Sequence, residues 1–304
     1  MRVMVTGGAG FIGSHSVEAL LAADAEVVAF DNFSTGKRDN LPAHARLSIV
    51  EGDVRDRSSV GKAMEGCTHV LNLAAQISVP VSIREPGNSG HHNIVGFANV
   101  LDCAREHAVE RVVFASSAAV YGDPKELPLT EASPTEPMSP YGLEKLVNEQ
   151  QCELFGRLAR LSGLGLRYFN VYGPRQDPTS QYAGVISRFA SRLLAGEPLT
   201  VFGDGLQTRD FIYVADVART NVAALKARFT GVCNVGTGRS VTLLELVDAL
   251  ADCLGSRPQV KFGPPQPGDI RQSAMTPARL HAWFGIAGPV PLSSGLGQLL
   301  AEMR

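Results

Sequence analysis

Tyr141 and Lys145 stand four residues apart in Tyr141-Gly142-Leu143-Glu144-Lys145. A tyrosine titrates near ~10 and is a poor base at neutral pH. A neighbouring ammonium favours its phenolate, so the pair can take a proton from an alcohol and return it. The spacing works only on a helix, where residues i and i+4 share a face. Tyr121 and Lys125 have the same spacing, but Gly122 and Pro124 interrupt a helix there. Tyr141 follows Ser139-Pro140 and runs into Leu146-Val147-Asn148-Glu149-Gln150, so the later pair is the one predicted to line a helix face. Ser117, 24 residues before Tyr141, ends a predicted strand. Its hydroxyl suits either proton sharing with a substrate alcohol or an ordinary strand-end cap.

A second constellation lies at the start. Thr6-Gly7-Gly8-Ala9-Gly10-Phe11-Ile12-Gly13 follows a strand and opens a helix, with Gly7, Gly10 and Gly13 three apart. Such a turn lets a pyrophosphate approach the backbone and meet the helix N-terminus. Asp31 ends the second strand, 18 residues after Gly13, followed by Asn32. A carboxylate there binds a ribose 2′-hydroxyl and repels a 2′-phosphate, favouring NAD over NADP, although Lys37 and Arg38 lie close by. Asp53-Val54 ends the third strand, as a cofactor contact or a helix N-cap. After the fourth, Ala74 and Ala75 are small enough for a flat or sugar-like group to lie against the backbone.

The elements that must position these groups read as strands at Val3–Thr6, Glu26–Asp31, Leu47–Gly52, His69–Leu73, Arg111–Ser116 and Gly165–Phe169. Helical patterns at Gly13–Ala22, Asn93–His107 and Pro140–Leu161 alternate with them. The alternation predicts an α/β fold, a doubly wound parallel sheet of Rossmann type with ligands at the carboxyl ends of its strands. After Asn170 turn-rich segments alternate with helices at Ala183–Ala195, Val214–Ala227 and Thr242–Leu254. We therefore expect a dinucleotide-binding domain over 1–169, a smaller mixed α/β C-terminal substrate lobe over 170–304, and segments near 210–238 returning to the sheet. Gly and Pro make up 16% of the 304 residues, consistent with many turns.

The net charge of -2 argues against a broad nucleic-acid surface, and no apolar run reaches a membrane span. The first strand starts too early to leave room for a secretory signal. The five cysteines are odd in number, widely spaced and contain no CxxC, which predicts free thiols in a reducing cytoplasm and no metal site.

The chain resembles an extended short-chain dehydrogenase/reductase, specifically a nucleotide-sugar 4-epimerase, over nearly its whole length. The resemblance rests on Gly7–Gly13, Ala74-Ala75-Gln76, Ser116–Gly122, Ser139–Gly142 with Lys145, Arg167–Gln176, Gly203-Asp204-Gly205 and Arg209–Val214. It implies Ser117, Tyr141 and Lys145 as catalytic trio, NAD as cofactor and a UDP-sugar as substrate. By the same resemblance Asn170 and Arg209 meet the diphosphate, and Asp269 the uridine ribose. Gln266 stands where relatives often have an arginine, and Arg271 is a substitute source of charge. Asn72 stands where many relatives have histidine. Relatives commonly form homodimers through two helices; Asn93–His107 and Pro140–Leu161 are the matching segments.

Related dehydratases carry an Asp-Glu pair after the position of Ser117; here Ala118-Ala119 follow, without ionisable groups. That favours simple return of hydride, and hence epimerisation at C4 through a transient 4-keto sugar, over dehydration or decarboxylation. The intact trio argues against a non-catalytic NAD-binding sensor. In resembled epimerases a tyrosine excludes N-acetyl sugars at the position matching Ser273, where serine leaves room for an acetamido group. UDP-N-acetylglucosamine/UDP-N-acetylgalactosamine is thus the expected pair, with UDP-glucose/UDP-galactose the alternative.

Overall fold

The computed structural model describes residues 1–178, 184–265, 270–286 and 288–304. Twelve strands are described: β1 (Arg2–Thr6), β2 (Glu26–Asp31), β3 (Leu47–Glu51), β4 (His69–Asn72), β5 (Arg111–Ser117), β6 (Ser162–Tyr168), β7 (Asn170–Tyr172), β8 (Leu199–Phe202), β9 (Thr208–Tyr213), β10 (Gly231–Val235), β11 (Ser240–Thr242) and β12 (Val260–Gly263). Seven form one sheet in the order β10-β6-β5-β4-β1-β2-β3. All six pairings in it are parallel.

Its inner strands are apolar on both faces, as a sheet covered by helices requires, while edge strand β3 is largely exposed. On one side Val3, Val5, Val27, Ala29 and Val113 pack in a core with Val17, Leu20, Val217 and Ala224 from helices Phe11–Ala22 and Val214–Lys226. On the other, Met4, Val28, Phe30, Val112 and Phe114 pack with Val60, Met64, Phe97 and Leu101 from helices Arg57–Met64 and Gly96–Glu106. The Phe97 and Phe114 rings lie 4.8 Å apart.

Strand order reverses around β1: β2 and β3 extend to one side, β4, β5 and β6 to the other. A crevice at such a reversal is where doubly wound sheets hold ligands. Register brings Thr6 opposite Asn72, and Ser117 opposite Tyr168, at this carboxyl edge.

After β6 the chain builds β7, β9 and β11 into a three-stranded sheet, and β8 with β12 into a parallel pair. Phe189, Leu199, Val201, Phe211, Leu246, Leu250 and Leu299 form a separate core there. β10 returns to the large sheet beside β6. Helix Ala278–Phe284 also comes back, burying Leu280 in the large sheet's core, which the sequence pattern did not foretell.

The helix expected over Asn93–His107 is regular only from Gly96 to Glu106. Before it come short helices Val79–Arg84 and Pro86–Gly90 and a wide turn, His91–Val95, with π-type hydrogen bonding. Among the described residues no helix is long and apolar enough to cross a membrane, and no cluster of His, Cys, Asp and Glu is arranged to hold a metal.

Candidate active site

The glycine turn is fixed by contact. Gly7 has φ +66°, and a Cβ there would lie 2.9 Å from the Ala74 amide nitrogen. A Cβ on Gly13 would lie 1.9 Å from the Gly7 carbonyl oxygen. Helix Phe11–Ala22 begins at Gly10 with no side-chain cap and no acidic residue in its first turn, so its own side chains do not answer its N-terminal dipole. Phe11 and Ile12 supply that first turn. The Asp31 carboxylate accepts from Ala9 N–H and Phe33 N–H, both at 2.9 Å, which aims it beside the turn. Arg38 pairs with Glu51 at 2.7 Å and stacks 4.3 Å over Phe33, so its charge is already matched. The cradle and the carboxylate fit an NAD dinucleotide.

Asp53 and Val54 offer less side-chain freedom than their place suggests. Asp53 holds Arg55 at 2.7 and 2.9 Å and accepts from Asn32 at 2.9 Å. These contacts, Arg55 foremost, hold its carboxyl far below the usual range. Val54 is buried. Asn72 accepts a hydrogen bond from Thr6 Oγ1 at 2.7 Å, while Thr6 Oγ1 accepts from Leu73 and Ala74 N–H at 3.2 Å. It thereby sets the Ala74-Ala75 backbone against Gly7.

Helix Pro140–Ala159 carries Tyr141 and Lys145 on one face. Ser139 caps it by accepting from Gly142 N–H, and Pro140 occupies its first turn. A Cβ on Gly142 would lie 2.6 Å from the Ala119 carbonyl oxygen, so the helix start sits directly on the turn after β5. Lys145 is 2% exposed; its ammonium donates to Ala115 O at 3.1 Å and lies 5.7 Å from the Tyr141 ring centre. Burial brings its pKa down to about 8, against the opposing pull of Glu144. Burial pushes Tyr141 up to about 12, with the Ser117 hydroxyl acting to lower it and Glu144 to raise it. Ser117 also accepts from Ala119 N–H at 3.1 Å, so its capping role at the strand end is in use.

Ser117, Ala118, Ala119, Tyr141, Asn170, Arg209 and Ser273 line one cavity of about 250 Å³. Lys145 stands behind Tyr141. Asn170 Nδ2 donates to Asp210 O at 3.2 Å, and Arg209 to Thr208 O at 2.7 Å. Arg271 is not among these groups. It lines the adjoining cavity of about 390 Å³ with Phe202, Gly203 and Gln207, and grips Asp204 with bonds of 2.6 and 2.8 Å. Ile270 borders both spaces. Asp269 and Gln266 lie outside the described residues.

Sequence reasoning missed two groups beneath the site. Glu144 is buried and accepts from Ser89 and Asn93. Glu149, a turn onward, pairs with buried Arg167 at 2.7 Å and accepts from Ser116. The available signal was spacing: Glu144 and Glu149 lie on the helix at i+3 and i+8 from Tyr141, the inward face.

The NAD dependent epimerase/dehydratase family matches residues 3–236. A putative UDP-glucose 4-epimerase of Methanocaldococcus jannaschii is 41% identical over 99% of this chain and 98% of its own. A UDP-N-acetylglucosamine 4-epimerase from Methanobrevibacter ruminantium, solved with UDP-N-acetylmuramic acid, is 37% identical with a TM-score of 0.96, covering 99% of this chain and 97% of that one. A Thermus thermophilus UDP-glucose 4-epimerase solved with NAD is 40% identical with a TM-score of 0.90, covering 100% and 99%. The chain belongs to the NAD dependent epimerase/dehydratase family, and NAD is its cofactor.

Proposed function

We propose that the protein is a UDP-sugar 4-epimerase acting on UDP-N-acetylglucosamine and UDP-N-acetylgalactosamine. The observation that carries this reading is the shared cavity, where Ser117 and Tyr141 face Asn170, Arg209 and Ser273. The bound dinucleotide supplies reversible hydride acceptance. Tyr141 takes the C4 hydroxyl proton, Ser117 orients that hydroxyl, and Lys145 stabilises the phenolate. Arg209 and Asn170 hold the diphosphate while the sugar turns to present its other face, and Tyr141 returns the proton. Asp269 is assigned to the uridine ribose, and Arg271 to the nucleotide end through the adjoining cavity. Glycines 7, 10 and 13, with Asp31, are assigned to the dinucleotide.

Ala118 and Ala119 line the cavity where elimination would need an acid or base, which supports epimerisation. Ser273 borders the same space without filling it as a large side chain would. Names among the relatives favour a second reading, UDP-glucose/UDP-galactose interconversion. NMR of separate incubations with UDP-N-acetylglucosamine and UDP-glucose, without added NAD, tests both. Faster C4 inversion of the N-acetyl sugar is expected. A preference for UDP-glucose selects the second reading, and a 6-deoxy-4-keto product overturns both.

We also assign exposed Val95, Leu143, Leu154 and Leu158 to the contact between two copies of the chain. Sedimentation should give twice the chain mass, and Leu158→Glu should lower it. Five free cysteines, four of them buried, suit a reducing cytoplasm.

A further inference from the structure

Glu144 precedes Lys145 and lies three residues after Tyr141, yet it is only 4% exposed. A carboxylate this buried needs partners. One of its oxygens accepts from Ser89 Oγ at 2.8 Å and from Asn93 Nδ2 at 2.6 Å. Asn93 uses its remaining groups on the backbone of one residue: Oδ1 accepts from Gln76 N–H at 2.8 Å, and Nδ2 donates to Gln76 O at 2.8 Å. Gln76 continues the Ala74-Ala75 segment that packs on Gly7. An unbroken chain of bonds thus runs from the catalytic helix to the wall of the dinucleotide cradle.

The geometry points to Glu144 as a positioning residue that ties the Tyr141/Lys145 helix to the cofactor-side loop and supplies a negative charge acting on both. This inference rests on the roles proposed above for Tyr141 and Lys145. The charge raises the pKa of each, partly offsetting the effect of burial on Lys145. The other ionisable groups nearby are engaged elsewhere. Glu149 pairs with Arg167, whose guanidinium also donates to Tyr121. Arg84 pairs with Glu85. His92 feels Asp53, Arg55 and His91. The segment Pro86–Gly90, which supplies Ser89, carries no ionisable side chain.

Removing the charge lowers both pKa values, so both limbs of the activity profile should move to lower pH. Glu144→Gln keeps an acceptor for Ser89 and Asn93. Its pH–kcat profile should shift as a unit by about half a pH unit or more, with maximal rate within a few fold of the parent. Glu144→Ser removes the charge and the link, and should add a fall in kcat of roughly 10- to 100-fold. A Glu144→Gln profile that superimposes on the parent's, or a Glu144→Ser enzyme with parental kcat, overturns the inference. Tyr141→Phe, run in parallel, separates the two levels. If it stays active, the proposed roles fail; if it is dead while Glu144→Gln is unshifted, only the inference fails.

Discussion

Tyr121 and Tyr141 begin two stretches with the same Tyr-x-x-x-Lys spacing, yet they have opposite fates. Tyr121 is 2% exposed and its hydroxyl is fully engaged. It receives a bond from Arg167 at 2.7 Å and lies 2.6 Å from Asn234 Oδ1 and 3.0 Å from Thr130 O. Lys125 is exposed, with no helix to carry it back. Tyr141 borders the same cavity as Tyr121, but its hydroxyl has Ser117 as its neighbour and Lys145 stands one helical turn behind it. Four-residue spacing is therefore an instruction only where the backbone is helical. A tyrosine held by three partners is part of the scaffold; one left with a hydroxyl neighbour and an open side can exchange protons.

The comparison breaks first at Tyr141. Tyr141→Phe should lower kcat by about 10²- to 10⁴-fold while substrate still binds, measured by NMR turnover and calorimetry. Arg167→Ala should instead leave Glu149 buried and unpaired, at a cost of about 3–5 kcal/mol in denaturant unfolding. Tyr121→Phe should cost about 1–3 kcal/mol in the same assay, because Arg167 and Asn234 lose a partner, and its kcat should stay within a few fold. Smallest of all, Lys125→Ala should change stability by no more than about 0.5 kcal/mol and leave turnover unaltered. A large activity loss at Tyr121 with full stability would erase the distinction.

The features legible in the sequence were those with strict local rules. Gly7 and Gly13 tolerate no side chain, Asp31 ends a strand, and Pro140 with Ser139 starts a helix. Each leaves a signal in a few consecutive residues. Groups defined by distant partners were not legible. Glu144 and Glu149 look like the solvated face of a helix until Ser89, Asn93, Ser116 and Arg167 arrive from four other segments. Arg271 shows no sign in the sequence of its partner Asp204, 67 residues earlier, which holds it in the neighbouring cavity. The breakup of the segment before Gly96 was equally hidden, because its apolar spacing continues through a wide turn. Asp269 falls outside the described residues and remains a proposal.

β10 gives the chain a schedule for its own synthesis. Until about 235 residues have emerged, β6 is an edge strand with open hydrogen-bonding groups along Leu164–Tyr168. The Arg111 guanidinium also waits, since two of its acceptors are the carbonyls of Ala224 and Phe229. A nascent chain stopped near residue 169 holds the whole glycine turn and the helix that carries Tyr141 and Lys145, but its sheet has an unprotected border and Arg111 is short of partners. Release of such a fragment from the ribosome should yield a sticky species rather than a small working domain.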